Sequence, residues 1–404
     1  MAKQVSSLTV HVGCGPALEQ ICQGGTPGFS NEESRMKDAT RVVRAGQPPA
    51  KQGASFLPGP AFASIYYCSG DPATSPYSYG RFDNPTWKAF EAALEELEGG
   101  PAVSFASGMA AIAAVLGVTL RPGDLVLVLQ DCYYTTRLVA KDYLEALGVR
   151  IKICSGQEDW RLLLDGARLL WLETPSNPAL AIYDIAELSQ AARDLGVLVA
   201  VDNTTSTPLL QRPLALGAHF SVASDSKALA GHGDLILGHV AARDPEWIEA
   251  LSTWRTRMGS TPGPMETWLA HRSLASLDLR LERMCNNAER IAHLLSLTPG
   301  VSNVQYPGLS EHPGFKIASR QMQRFGHIVS FELASAIVVE RFLGECRLVD
   351  ETTSFGSLHT TAEQRGRWGG DQVSPGFIRM SLGCEHGDDL EEDILRALEI
   401  ATAP

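Results

Sequence analysis

The chain lacks several things that would place it outside ordinary soluble metabolism. It has no apolar run long enough to span a bilayer. Its start, "MAKQVSSLTVHVGCGPALEQ", has neither the basic-then-apolar order of a secretory signal nor the arginine richness of a transit peptide. A cytoplasmic protein is therefore expected. It has no Cys-x-x-Cys pair: the eight cysteines are scattered, as reduced thiols are, and suggest neither a disulfide framework nor a metal site. It has no basic excess. The formal charge is -12, spread without an acidic tail, which argues against a nucleic-acid or anionic-membrane surface. There is no internal repeat and no low-complexity tract.

What is present is the composition of a folded chain, 44% hydrophobic and 20% charged, over 404 residues. That length exceeds what one core usually carries, so two domains are expected. Residues 1–35 are rich in Gly, Ser and Gln without a sustained period and are read as an N-terminal extension. Residues 36–85 lead into the fold. Within them, 46–85 are dense in Pro, Gly and Ser, and so long an irregular stretch usually has a function or wraps a neighbour.

From Thr86 the pattern becomes regular. "PTWKAFEAALEELEGG" places Trp87, Phe90, Leu94 and Leu97 at helical spacing, and Gly99-Gly100 stops the helix. Short apolar strands then alternate with helical stretches as far as "LALGAHFSVASDSK". Strands of that kind predict a mainly parallel sheet covered by helices on both faces. This region is read as a large domain over 86–264. The stretch "METWLAHRSLASLDLRLERMCNNAERIAHLLS" predicts a linking helix, and "GHIVSFEL", "RLVDETTSFG" and "GFIRMSLG" predict strands of a smaller C-terminal α/β domain within 265–404.

Open parallel sheets bind ligands at the carboxyl ends of their strands. The polar groups predicted there include Ser107-Gly108-Met109, Tyr133, Asn177, Asp202 and Ser224 to Lys227. "FASGMAA" sets a glycine turn directly before a helix, whose N–H groups and macrodipole suit a phosphate. A turn before a helix is also a general device. Ser224 and Ser226 could add hydroxyl donors to the same anion. Asp202 ends the apolar run "GVLVAV", where a carboxylate is costly unless it meets a cation. It reads either as a loop or helix-cap hydrogen-bond acceptor, or as the partner of a protonated pyridine nitrogen. Lys227 sits among small and apolar residues. It reads either as a snorkelling lysine or as a desolvated, nucleophilic amine. Taken together, an anion cradle, an acidic strand tip and a lysine after the next strand match the needs of pyridoxal 5'-phosphate.

The motifs "YSYGRFDNPT", "SGMAA", "DCYYTTR", "ETPSNP", "VDNT", "SDSKALAGHGD", "TSFG" and "IRMSLGCE" occur in one order. In these the chain resembles the pyridoxal-phosphate enzymes of cysteine and methionine metabolism, the group of cystathionine γ-lyase, cystathionine γ-synthase and methionine γ-lyase. The resemblance extends from about Val42 to Leu398. It implies the fold type I of PLP-dependent transferases, aspartate aminotransferase-like, with a seven-stranded type of sheet. It also implies a homo-oligomer, a tetramer built as a dimer of dimers with active sites shared across the dimer interface. By the same resemblance Lys227 is the Schiff-base lysine, Asp202 the pyridinium partner, and Tyr133 the ring-stacking residue and proton carrier at the leaving group. Gly108, Met109, Ser224 and Ser226 hold the phosphate. Tyr79 and Arg81 lie in an arm, within 36–85, that reaches the phosphate of the neighbouring subunit. Arg379 clamps the substrate carboxylate, assisted by Asn177 and Ser354.

The chain departs from many such proteins in places. Tyr133-Tyr134-Thr135-Thr136 replaces Tyr-Gly-Gly-Thr, so Arg137 stands one position nearer than the usual substrate-binding arginine. Thr353 stands where cystathionine enzymes often carry glutamate, and Leu358-His359-Thr360-Thr361 replaces the usual Glu-Ser. These forms resemble a bacterial γ-lyase-like subgroup. The reaction implied is γ-elimination from cystathionine. γ-Replacement on an activated homoserine and methionine γ-lysis are the alternatives. A non-catalytic oligomer keeping the fold has no need of Lys227, Asp202, Tyr133 and Arg379 together. A DNA-binding regulator needs a basic helix-turn-helix, which residues 1–85 do not offer.

Overall fold

The computed structural model describes residues 36–156 and 158–403, so the extension expected over 1–35 lies outside the described residues. Its larger sheet has seven strands: β1 (Ala102–Phe105), β2 (Leu125–Leu129), β3 (Arg150–Cys154), β4 (Leu169–Glu173), β5 (Leu198–Asp202), β6 (Phe220–Ala223) and β7 (Gly238–Ala242). Their spatial order is β1-β7-β6-β5-β4-β2-β3. The ladders from β3 across to β6 are parallel, while β7 runs antiparallel to both of its neighbours.

That reversed strand positions the site. A connection between antiparallel neighbours begins and ends at the same sheet edge, whereas a parallel pair needs a crossover. The loop from β6 to β7, which carries Lys227, therefore stays at the carboxyl edge, beside the end of β5 at Asp202. The strands there are buried along their length because helices cover both faces. Every residue of β4, β5, β6 and β7 is buried, and β4 (LLWLE) and β5 (LVAVD) are apolar up to their terminal carboxylates. At the sheet's edge, β3 instead exposes Arg150 and Lys152, charges that discourage further pairing.

The helix Pro85–Glu98 forms as its pattern predicts. Asn84 caps it by accepting from Thr86 N at 2.8 Å, Pro85 occupies the first turn, and Gly99 closes it at φ +77°. Trp87, Phe90, Leu94 and Leu97 are buried. The helix Gly108–Thr119 is apolar nearly throughout, as a helix packed on a buried sheet must be. Segment 134–147 is helical but irregular: an α-helical turn at Tyr134–Val139, a wider π turn at Ala140–Leu144 and a tighter 3-10 turn at Glu145–Leu147.

The second sheet contains β8 (Ser302–Gln305), β9 (Ile328–Glu332), β10 (Asp350–Glu351), β11 (Thr361–Gln364) and β12 (Phe377–Ser381), in the order β10-β11-β12-β9-β8. It is antiparallel except between β10 and β11. Its core joins Phe331, Ile378 and Met380 to Phe342, Leu390, Ile394 and Ile291 from the helices Ala336–Glu345, Gly387–Thr402 and Leu277–Leu297. The stretch read as one linking helix is two, Pro264–Leu274 and Leu277–Leu297, broken at Ala275-Ser276. The strand expected in "RLVDETTSFG" shrinks to the two residues of β10. Residues 46–85 are largely irregular, with a 3-10 turn at Pro72–Thr74 and an isolated bridge between Ile65 and Tyr79. No helix among the described residues is long and apolar enough to cross a membrane.

Candidate active site

A cleft of about 780 Å³ opens between the carboxyl edge of the first sheet and the 350–379 region of the second. Gly108, Met109, Tyr133, Asn177, Asp202, Ser224, Ser226, Lys227, Ser354 and Arg379 all line it. Ten of the twelve residues expected from the sequence therefore converge. Tyr79 and Arg81 do not line it. Arg81 is exposed, donates from Nη1 to the Thr256 carbonyl at 2.8 Å, and lies over the Tyr79 and Phe82 rings.

One wall is the start of the helix Gly108–Thr119. Ser107 caps it, its hydroxyl accepting from Ala110 N at 3.0 Å. A Cβ added at Gly108 would lie 2.6 Å from Ser224 Cβ and 2.9 Å from Ser224 Oγ. The absence of a side chain thus lets the helix start sit directly against the Ser224 hydroxyl. Ser226 is placed differently. Its hydroxyl is committed to the backbone of Leu237, accepting from N at 3.0 Å and donating to O at 3.2 Å.

Asp202 is 5% exposed. Its Oδ1 accepts from Thr204 N at 3.0 Å and from Thr204 Oγ1 at 2.5 Å, while Thr204 Oγ1 in turn accepts from Ser224 N at 2.9 Å. Both bonds go to one oxygen of a residue that lines the cleft. Burial raises the Asp202 pKa, opposed by the Thr204 bonds and the Lys227 charge. A cation arriving in the cleft would favour the charged form.

Lys227 has the opposite shift. Burial lowers its pKa first and the Arg379 charge adds to this, with Asp202 pulling the other way. Its Nζ is 5.6 Å from the centroid of Phe355, and the Arg379 guanidinium is 5.0 Å from the same ring. Phe355 was not singled out in the sequence, although it lies inside "TSFG". Gly356 (φ +84°) lets this loop close on the lysine, since a Cβ there would meet Ala228 N at 2.5 Å.

Arg379, on β12, is 3% exposed. It donates from Nη1 to Asn177 Oδ1 at 2.7 Å and from Nη2 to the Ser354 carbonyl at 2.8 Å. Ser354 holds that carbonyl in place at φ +84°, a backbone conformation rare for a residue with a side chain. The Arg379 Nε–H is buried and has no partner among the described residues. Arg379 itself lines the cleft, and the planar fork of a guanidinium suits an anion there.

Tyr133 is fixed through its backbone. Its N–H donates to Glu173 Oε2 at 2.6 Å, and its ring meets Tyr134 edge-on at 5.2 Å. Glu173, the last residue of β4, is 3% exposed and supports Tyr133. Burial, then Asp202, pushes its carboxyl well above the usual range. Arg137 does not line the cleft: it donates to the carbonyls of Gln130 and Gly370 and lies 3.7 Å from Asp371.

Comparison with known proteins follows the same lines. The family described as Cys/Met metabolism PLP-dependent enzyme matches residues 39–399. A Streptomyces coelicolor protein named "Putative cystathionine gamma-lyase" is 50% identical over 381 residues, covering 93% of this chain and 97% of its own. A Bacillus subtilis cystathionine gamma-lyase is 37% identical, over 80% of this chain and 89% of its own. Among solved structures, the cystathionine gamma synthase of Xanthomonas oryzae pv. oryzae, in complex with aminoacrylate and cysteine, superposes with a TM-score of 0.86. It is 33% identical and covers 91% of this chain and 98% of its own.

Proposed function

The chain belongs to the Cys/Met metabolism PLP-dependent enzyme family, and from that premise we propose that it cleaves cystathionine by γ-elimination. With one water consumed, the products are cysteine, 2-oxobutanoate and ammonia. The chain is a PLP-dependent enzyme of the carbon–sulfur lyase kind, with the type I fold and a small amino acid as substrate. The general chemistry is carried by one observation: the half-buried amine of Lys227 and the guanidinium of Arg379 share a cleft with Tyr133; γ-elimination is the narrower choice within it. The lyase names of the 50% and 37% identical relatives support it.

The residues fit the cofactor. The Gly108–Ser224 contact forms a cradle that a side chain would fill, and Gly108, Met109 and Ser224 would hold the phosphate there. Ser226 would join them or, through Leu237, shape the loop. Asp202 would meet the ring nitrogen, Tyr133 the ring face and Lys227 the aldehyde. When bound, the group supplies a covalent attachment for the substrate amine and a ring that stores the electron pair left at Cα.

The chain's own residues do the remainder. Arg379, aimed by Asn177 and Ser354, binds the substrate carboxylate. Lys227 Nζ, its pKa lowered by burial and by the Arg379 charge, takes the Cα proton and then moves a proton at Cβ. The Tyr133 hydroxyl gives a proton to the departing sulfur. γ-Replacement on an activated homoserine uses the same residues, and the resemblance to a solved synthase keeps it as the second reading.

We assign 86–264 to the cofactor-binding domain and 265–404 to the linking helices and small domain. Residues 36–85 are assigned to an arm that carries Tyr79 and Arg81 to a neighbouring subunit of a dimer, two dimers forming the tetramer. Exposed Phe56, Phe62, Ile65 and Tyr67 support that arm as a surface needing cover. Product analysis tests the reaction. Incubation with cystathionine should release 2-oxobutanoate. Cystathionine formed from activated homoserine and cysteine, with little oxo acid from cystathionine, would overturn the assignment.

A further inference from the structure

Asn177 and Ser354 are not the whole support of Arg379. Its Nη2 also donates to Glu363 Oε2 at 2.7 Å. The same oxygen accepts from Arg365 Nη1 at 2.9 Å, and Glu363 Oε1 accepts from Trp368 Nε1 at 2.6 Å. Arg365 continues the chain, donating to Asp371 Oδ2 from Nε at 2.9 Å and from Nη2 at 2.5 Å. Asp371 lies 3.7 Å from Arg137, which follows Tyr133 on the next helical turn. A line of alternating charge thus runs from the Tyr133 side of the cleft to Arg379.

These groups are out of water. Side-chain exposure is 3% for Arg379, 1% for Glu363, 7% for Arg365 and 4% for Asp371. Arg365 and Arg379 set against Glu363 and Asp371 balance within the line, while Arg137 is 16% exposed and also faces Asp131. Both Glu363 oxygens are engaged, accepting from Arg379, Arg365 and Trp368, so the carboxylate is held as firmly as it holds. Trp368 lines the cleft while bonded to the same carboxylate. One side chain therefore orients both the arginine and an aromatic wall.

We propose that Glu363 is a positioning residue for substrate binding, locking Arg379 and Trp368 in the geometry that admits one α-carboxylate. This rests on the reading of Arg379 as the carboxylate clamp. The test uses the cofactor-loaded protein and two probes that have no γ substituent to lose: glycine, which has a carboxylate, and methylamine, which has none. Binding is read from the change in cofactor absorbance. Glu363→Gln should weaken glycine about tenfold, the scale of losing a charged hydrogen bond, with the methylamine response unchanged. With cystathionine, KM should rise by a similar factor while kcat stays within about twofold. Unchanged glycine affinity would overturn the proposal. Arg379→Ala separates the two levels. If it weakens glycine and Glu363→Gln does not, only the role of Glu363 fails. If Arg379→Ala leaves glycine binding intact, the clamp reading fails and this proposal with it. Should Glu363→Gln not yield folded protein, Trp368→Phe removes the indole N–H at a residue that is 53% exposed. A glycine-only weakening of about threefold is then expected, and equal binding to wild type would count against the role.

Discussion

Arg379 and Asn177 stand 202 residues apart and meet at 2.7 Å, Nη1 donating to Oδ1. The bond ties β12 of the second sheet to the loop that follows β4 of the first, so the proposed carboxylate clamp is assembled only when the two sheets are in register. Asn177→Ala should raise KM for cystathionine about tenfold, with cofactor absorbance intact. Steady-state kinetics beside a cofactor spectrum decide it, and a fall in kcat alone would place Asn177 elsewhere in the reaction.

Tyr133 offers a second test. Its backbone is pinned by Glu173, so Tyr133→Phe should keep the ring in place and remove only the hydroxyl. A loss in kcat of roughly 10² to 10⁴ is expected for a missing proton donor, with bound cofactor unchanged. Activity near wild type would mean the leaving sulfur takes its proton from another source.

Much of the site was legible in the sequence because its residues sit at strand ends next to apolar runs: Asp202 after "GVLVAV", and Lys227 after "SVAS". Position relative to the sheet follows from such runs. What was not legible depends on pairing between distant segments. Glu363, Arg365 and Asp371 look like ordinary surface charges in "TAEQRGRWGGDQ". Only the fold buries them against Arg379 and Arg137. Phe355 was inside a recognised motif but gave no sign that both cations would face its ring. The break at Ala275-Ser276 was missed because helical spacing continues across it. The reversal of β7 within a mainly parallel sheet was not legible because a buried strand reads the same in either direction.

Cofactor retention tests both halves of the proposed phosphate site. Gly108→Ala drives a Cβ to within 2.6 Å of Ser224 and, by overpacking at about 1–3 kcal/mol, should weaken retention tenfold or more. Arg81→Ala should also weaken it if the arm reaches a neighbour's phosphate. Both are measured by dialysis against decreasing free cofactor. Wild-type retention in the assembled Arg81 variant would contradict the shared site.

His239 supplies a pH test. It is fully buried behind the Lys227 loop, Nδ1 2.6 Å from Asp225 Oδ1 and Nε2 3.1 Å from Glu98 Oε1. Burial works to lower its pKa, but the two carboxylates outweigh this and hold it at about 10. A folded pKa above the unfolded value of about 6.5 gives stability that is complete below that value. It is lost as pH rises toward 10. His239→Gln should flatten this fall, as read by thermal unfolding midpoints across the alkaline range. Parallel curves for variant and wild type would show that the cluster does not carry the dependence.

The amine of Lys227 is the point on which the rest depends, and its chemistry can be read directly. The cofactor-loaded protein is reduced with borohydride, digested and mapped by mass spectrometry. The pyridoxyl label is expected on the peptide containing Lys227 and should disappear in Lys227→Ala. A label on another lysine, or none on a protein that binds the cofactor, would contradict it.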